Sequence, residues 1–255
     1  VCAVMYNYTG YPMVRQAREM VASGAIGTLR KVFVEYHQGW LSAKVENQGV
    51  QQAEWRTDPK RAGLGGALGD IGSHAENLAS FITGLEIETL SADLTSFVEG
   101  RPLDDDASVL LRFKGGAKGV LTASQICAGE ANGLTIRIYG DKGGLRWRQE
   151  SPERLDVLSL EGPTREIVRG GPGAGTDSAE GGRIPVGHPE GFIEAFANIY
   201  RGAAELVRAK REGREPDRLG VLTPTAEAGR RGVRFIELCV ASARDNAAWT
   251  TWSYG

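Results

Sequence analysis

The densest collection of reactive side chains lies between Glu54 and Asn77, where EWRTDPKRAGLGGALGDIGSHAEN brings together a Trp, an Arg, several glycines, Asp70 and His74. Ile71, Ala75, Leu78, Ala79 and Ile82 recur at helical spacing, so a helix starting near Leu68 or Gly69 puts Asp70 and His74 on one face, about one turn apart. An imidazole of ordinary pKa, roughly 6.5, loses and regains a proton near neutrality. A carboxylate one turn away can orient the ring or raise its basicity. Together they form a general acid/base pair suited to a hydroxyl group. The glycines ahead of the pair remove side chains and let a ligand approach the backbone. The same residues also admit a plainer reading, an Asp that caps a helix and a His that satisfies it.

Other clusters carry less chemistry. Asp104, Asp105 and Asp106 lack calcium-loop spacing and read as a solvated hairpin end. Residues 169–187 are Gly-rich, but without a Lys-Ser or Lys-Thr after the glycines they read as an exposed crossing rather than a phosphate loop. A zinc site would need the three dispersed histidines to converge with Asp70 by coincidence, so no metal is expected.

The elements that must position the pair follow from periodicity. VCAVMYN reads as a short strand whose partners are expected upstream in a longer parent or supplied in some other way. A helix from Pro12 to Gly24 comes next, then a long strand in TLRKVFVEYHQGW, a polar loop, and the helix carrying Asp70 and His74, which stops at Gly84. From Glu88 the period changes to 2. Strands are expected at 89–97, 107–113, 117–126, 133–139 and 144–149, with shorter ones near Leu155 and Ile167. Their short connections imply antiparallel pairing. Helices at 190–210 and 225–246 close the chain. The fold class is therefore α+β: an open, largely antiparallel mixed sheet with helices on one face.

The chain has 255 residues and a formal net charge of -2, enough length for a substantial core and no electropositive field for nucleic acid. No apolar run reaches membrane-spanning length. Cys2, Cys127 and Cys239 are far apart and read as reduced, buried thiols of a cytoplasmic protein.

GGALGDIGSH, preceded by EWRTDP and by NYTGYPMVRQAREMVASGAIGTLRKV and followed by HPEGFIEAFANIY, resembles the Gfo/Idh/MocA oxidoreductases over nearly the whole chain. The resemblance implies a hydride transfer between NAD or NADP and a secondary alcohol of a sugar, inositol or related polyol. It also implies a division of the chain: residues 1–24 as the last strand and helix of a Rossmann domain, and 25–255 as an α+β domain for substrate binding and oligomerisation through the open sheet. His74 then corresponds to the general base, and Asp70 to its partner. Trp55 walls the pocket, Arg56 hydrogen-bonds substrate, and His37 and Gln38 line the cleft. Asn7 and Tyr11 belong to the segment near the nicotinamide, where Tyr11 is equally well read as helix-start packing, and His188 reads as a loop histidine.

Two departures from the family pattern are visible. The G-x-G-x-x-G fingerprint is absent from these residues, and so is the E-K-P segment whose Lys completes the catalytic set; Lys44 and Lys60 are weak substitutes. A non-catalytic ligand-binding or oligomerisation module, binding no dinucleotide itself, therefore stands beside the dehydrogenase reading.

Overall fold

A computed structural model describes residues 1–254, and the chain divides into two compact units. The first comprises residues 1–29, 80–84 and 137–231; the second comprises 30–79, 85–136 and 232–255.

In the first unit the opening residues do not form the expected strand. They make one antiparallel bridge, Ala3 to Thr225, before a 3₁₀ turn at Asn7–Gly10. Helix α1 (Pro12–Ala22) starts with Pro at its first position, where no backbone donor is lost, and Gly24 at φ 74° ends it. The first unit also holds strands β6 (Gly143–Arg148), β7 (Arg154–Ser159) and β8 (Arg165–Val168), which pair antiparallel in turn. Two short helices, Thr176–Gly181 and Arg218–Val221, and the long helix Phe192–Glu212 complete it. The long helix sits directly on the 3₁₀ turn: Asn198 donates to Gly10 O at 2.8 Å, and a Cβ on Gly10 would come within 2.2 Å of Ala195 O.

The second unit carries the segment of interest. Strand β1 (Leu29–His37) runs parallel to β4 (Lys118–Ser124), while β4 with β3 (Asp106–Phe113) and β3 with β2 (Ile87–Thr95) are antiparallel. The two-residue strand β9 (Thr250–Thr251) lies on the edge of β2, and β5 (Gly133–Gly140) is shared between the units. The parallel pair follows from the long crossover between β1 and β4. Alternate residues on these strands are buried, including Val32, Val34 and Tyr36 on β1 and Val109, Leu111 and Phe113 on β3, while Ser108, Leu110 and Arg112 face solvent.

The buried face is covered by the helix that follows the glycine run. It opens with a π-helical turn, Leu68–Gly72, in which Ser73 N–H donates to Leu68 O, and continues as α-helix Ser73–Thr83. Leu68, Ile71, Ala75 and Leu78 are buried there. Gly72 lets the backbone approach the sheet: an added Cβ would lie 3.3 Å from Ala123 Cβ. The helix Ala226–Arg244 covers β2, where Ser242 Oγ accepts from Ala92 N at 2.9 Å.

Three local readings need correction. Asp104 and Asp105 are not solvated. Asp105 is 1% exposed, accepts from Phe97 N and Val98 N, and pairs with Arg101 at 3.0 Å; Asp104 accepts from Gly66 N and Leu68 N, each at 2.7 Å. Acids usually stay in water, but here backbone N–H groups and an Arg compensate their burial. Residues 169–187 likewise do not form a plain exposed crossing, because Arg169, Asp177 and Ser178 are buried within them. Of the three thiols only Cys239 is buried; Cys2 is exposed.

Candidate active site

The loop after β1 is fixed before any functional group is placed on it. Gly39 N donates to Glu130 O at 2.9 Å and Leu41 N to Gln125 O at 3.0 Å. Arg101, with its side chain 1% exposed, ties Leu41 O to Glu46 and Asp105. A short helix, Gln51–Arg56, follows and delivers Trp55 and Arg56.

The glycine run is held just as firmly. Both carboxylate oxygens of Asp104 accept from the run, and Ala67 N donates to Asp104 O at 2.9 Å. A Cβ on Gly66 would come within 2.0 Å of that carbonyl oxygen, so only Gly fits. Burial of Asp104 pushes its carboxyl above the usual range, opposed by the backbone donors it accepts from. This clamp sets the start of the π turn on which Asp70 stands.

Asp70 is the hub of the arrangement. Its Oδ2 accepts from Arg56 Nε and from Gln125 Nε2, each at 2.8 Å, which leaves Oδ1 for a ligand. Arg56 Nη1 also donates to Gln52 Oε1 at 2.5 Å, and its guanidinium lies 4.2 Å over the Trp55 ring. Gln125 Nε2 reaches Gln38 Oε1 at 3.4 Å, and Gln38 Nε2 donates to Asn132 Oδ1 at 2.8 Å. The result is a continuous polar chain from Asn132 through Gln38, Gln125, Asp70 and Arg56 to Gln52. The Arg56–Asp70 pair stays accessible, with side-chain exposures of 22% and 24%.

Two cavities meet at that pair. One, of about 240 Å³, is lined by Trp55, Arg56, Gly66, Gly69, Asp70 and His74; the other, of about 310 Å³, by Gln38, Trp40, Gln52, Arg56 and Asp70. His74 is half-buried, its Nδ1 is fully enclosed, and the ring lines the first cavity. Burial pulls the imidazole down to about 4, and the negative charge of Asp70 opposes that shift without overcoming it. The ring is therefore neutral at pH 7. It can accept a proton, and the expected gain in basicity from Asp70 is outweighed by desolvation.

Of the residues singled out from sequence, Asp70, His74, Trp55, Arg56 and Gln38 converge here. His37 lines neither cavity: its Nε2 lies 2.8 Å from Thr122 Oγ1. Lys44 donates to Glu99 O, and neither it nor the exposed Lys60 lines either of these two cavities. Tyr11 is a core residue of the first unit, 1% exposed, with its ring 5.4 Å from that of Trp147. Burial raises its phenol to about 12. Asn7 is also buried in the first unit, and its Nδ2 makes no hydrogen bond among the described residues. His188 is exposed in its loop. Gln125, Gln52 and Trp40 were not singled out; the Gln52-to-Arg56 spacing of one helical turn was the available signal for one of them. Among the described residues no group of three or more His, Cys, Asp or Glu side chains could hold a metal, and no helix is long and apolar enough to cross a membrane.

A family model described as the GFO/IDH/MocA C-terminal domain matches residues 14–146. The uncharacterised oxidoreductase YfiI of Bacillus subtilis (strain 168) is 34% identical over 252 residues, which are 98% of this chain and 64% of that protein. The crystal structure of an oxidoreductase from Sinorhizobium meliloti superposes with a TM-score of 0.85 at 47% identity, over 98% of this chain and 64% of that one. An inositol dehydrogenase homologue from Azotobacter vinelandii, complexed with NADH and myo-inositol, gives a TM-score of 0.87 at 33% identity over 98% and 64%. The chain thus spans just under two thirds of the length of each of these relatives. Matched over more than half its residues by the family model, and end to end by these proteins, the chain belongs to the GFO/IDH/MocA oxidoreductase family.

Proposed function

We propose that this chain is the substrate-binding and proton-transferring part of an NAD(P)-dependent dehydrogenase that oxidises a secondary alcohol of a sugar, inositol or related polyol. The observation that carries the reading is the hub at Asp70: a carboxylate held on one oxygen by Arg56 and Gln125, open on the other, lining the same cavity as a neutral imidazole. In this role the His74 imidazole takes the hydroxyl proton, which raises electron density on the carbinol carbon. Asp70 Oδ1 accepts from a neighbouring hydroxyl and Arg56 donates to a third oxygen, so the ring is oriented before reaction. The cation that forms on His74 is stabilised by Asp70.

NAD(P), when bound, supplies the hydride acceptor. The residues present fit its nicotinamide end in part. Asn7 offers a buried amide donor with no partner among the described residues, whereas Tyr11 is enclosed in the core and is not assigned to the cofactor. The Azotobacter relative, with NADH and myo-inositol bound, supports the same cofactor and substrate class here. We further assign residues 1–24 to the nucleotide-binding side and 25–255 to the substrate domain. The solvent-facing side of the sheet, with Leu110 49% exposed, is assigned to contact with a second copy of the chain. The cysteines, free among the described residues, suit a reducing cytoplasm.

The test is calorimetry of the chain with myo-inositol and free hexoses, alone and after His74→Ala and Asp70→Asn. Binding weakened by Asp70→Asn supports the reading, and absence of binding to every cyclic polyol overturns it. Titration with NADH separates the non-catalytic alternative, which expects none to bind to these residues.

A further inference from the structure

We infer that the substrate is a glycoside with two rings, its reacting ring in the His74 cavity and its second ring against Trp40. The inference rests on the polyol reading above and deepens it.

Three observations point this way. First, the two cavities both border the Arg56–Asp70 pair, so the two rings of a ligand lying across that pair would each meet one of them. Ligand sites commonly measure about 300–1,000 Å³; at about 240 Å³ the His74 cavity alone is smaller, and the two together pass that threshold. Second, Trp40 keeps part of its ring open, with the Arg56 guanidinium 5.9 Å from the ring centroid. It is 36% exposed, and its indole Nε1 donates to Gln38 Oε1 at 2.9 Å, which fixes the ring plane without a ligand. A rigid aromatic face beside amides matches a sugar, whose C–H face is apolar and whose edge is hydroxylated. Third, the amides around Trp40 are already committed in a way that leaves a donor outward. Gln52 Oε1 accepts from Arg56 Nη1 and Trp55 Nε1, so its Nε2 remains for a hydroxyl. The acid/base step itself uses neither the Trp40 ring nor the Gln52 Nε2.

Calorimetry and tryptophan fluorescence on the 255-residue chain test this, with myo-inositol and glucose as one-ring probes and cellobiose, maltose and phenyl β-glucoside as two-ring probes. At least one two-ring probe is expected to bind about tenfold more tightly than its one-ring counterpart. Trp40→Ala brings that ratio close to one, and Trp40→Phe, which keeps an aromatic face, restores most of it. Equal affinities for one-ring and two-ring probes, or a ratio indifferent to Trp40→Ala, overturn the second-ring site while leaving the polyol reading intact. No binding of any probe defeats both.

Discussion

Two Gly-rich stretches of this chain are alike in composition and opposite in use. Residues 62–70 end in a carboxylate that meets Arg56 at 2.8 Å with about a quarter of its side chain exposed, and two cavities open on the pair. Residues 169–187, in the other unit, also contain charges, but Arg169 and Asp177 among them are closed off. Arg169 is 3% exposed at its side chain and pairs with Glu153 at 2.6 Å and Glu190 at 3.2 Å, and Asp177 is gripped by both Nε and Nη2 of Arg218. Glycine content is therefore no guide to function here. What separates the two is whether the charged pair keeps unused acceptors and donors facing space. A closed pair contributes to the fold, whereas an open one can exchange a protein contact for a ligand.

The largest test of that contrast is stability. Arg169→Ala takes one cation from buried Glu190, which keeps Arg183, and also breaks the bonds to Ile184 O and His188 O, so urea unfolding should show a loss of about 3 kcal/mol. Arg56→Ala breaks a pair still in contact with water and should cost less than about 1 kcal/mol, while weakening polyol binding. Equal losses would erase the distinction. A smaller effect sharpens it within the first stretch. Gly66→Ala drives a Cβ into Asp104 O and should cost about 1–3 kcal/mol. Gly69→Ala meets nothing within 4 Å and should change stability by no more than about 0.5 kcal/mol. Its methyl group borders the His74 cavity, so ligand affinity falls although the fold does not.

The subtlest effect is protonic. The folded His74 titrates near 4, below its unfolded value of about 6.5. The unfolded chain therefore binds the extra proton first, and this ring's share of stability is present above pH 6.5 and lost as pH falls towards 4. His74→Gln should flatten that part of the stability profile. Asp70→Asn removes the charge that favours the imidazolium, so NMR titration should find the ring shifted lower still.

Much of this was legible beforehand because periodicity survives folding. The strands from Ile87 to Val168 lie within a few residues of their expected positions since alternate residues face a buried side. The helix bearing Asp70 and His74 starts at Leu68, where the apolar spacing puts it. The opening residues fell short because strand formation needs neighbours, and only Thr225 meets Ala3. Asp104 and Asp105 were unreadable as buried because their compensating donors come from Gly66, Leu68, Phe97 and Val98, contacts with no trace in local spacing. Gln125 is the clearest loss. A lone amide after a strand has no pattern of its own, and its meaning appears only when the crossover brings β4 beneath Asp70.

The wide turn at Leu68–Gly72 acts as a vernier. A π turn carries one residue more than an α turn, so removing one residue here would let the backbone rewind to regular pitch with the helix beyond it still in register. The extra residue is what aims Asp70 at Arg56 and Gln125, and such a deletion would disturb the carboxylate's two bonds while the apolar side of the helix stays packed.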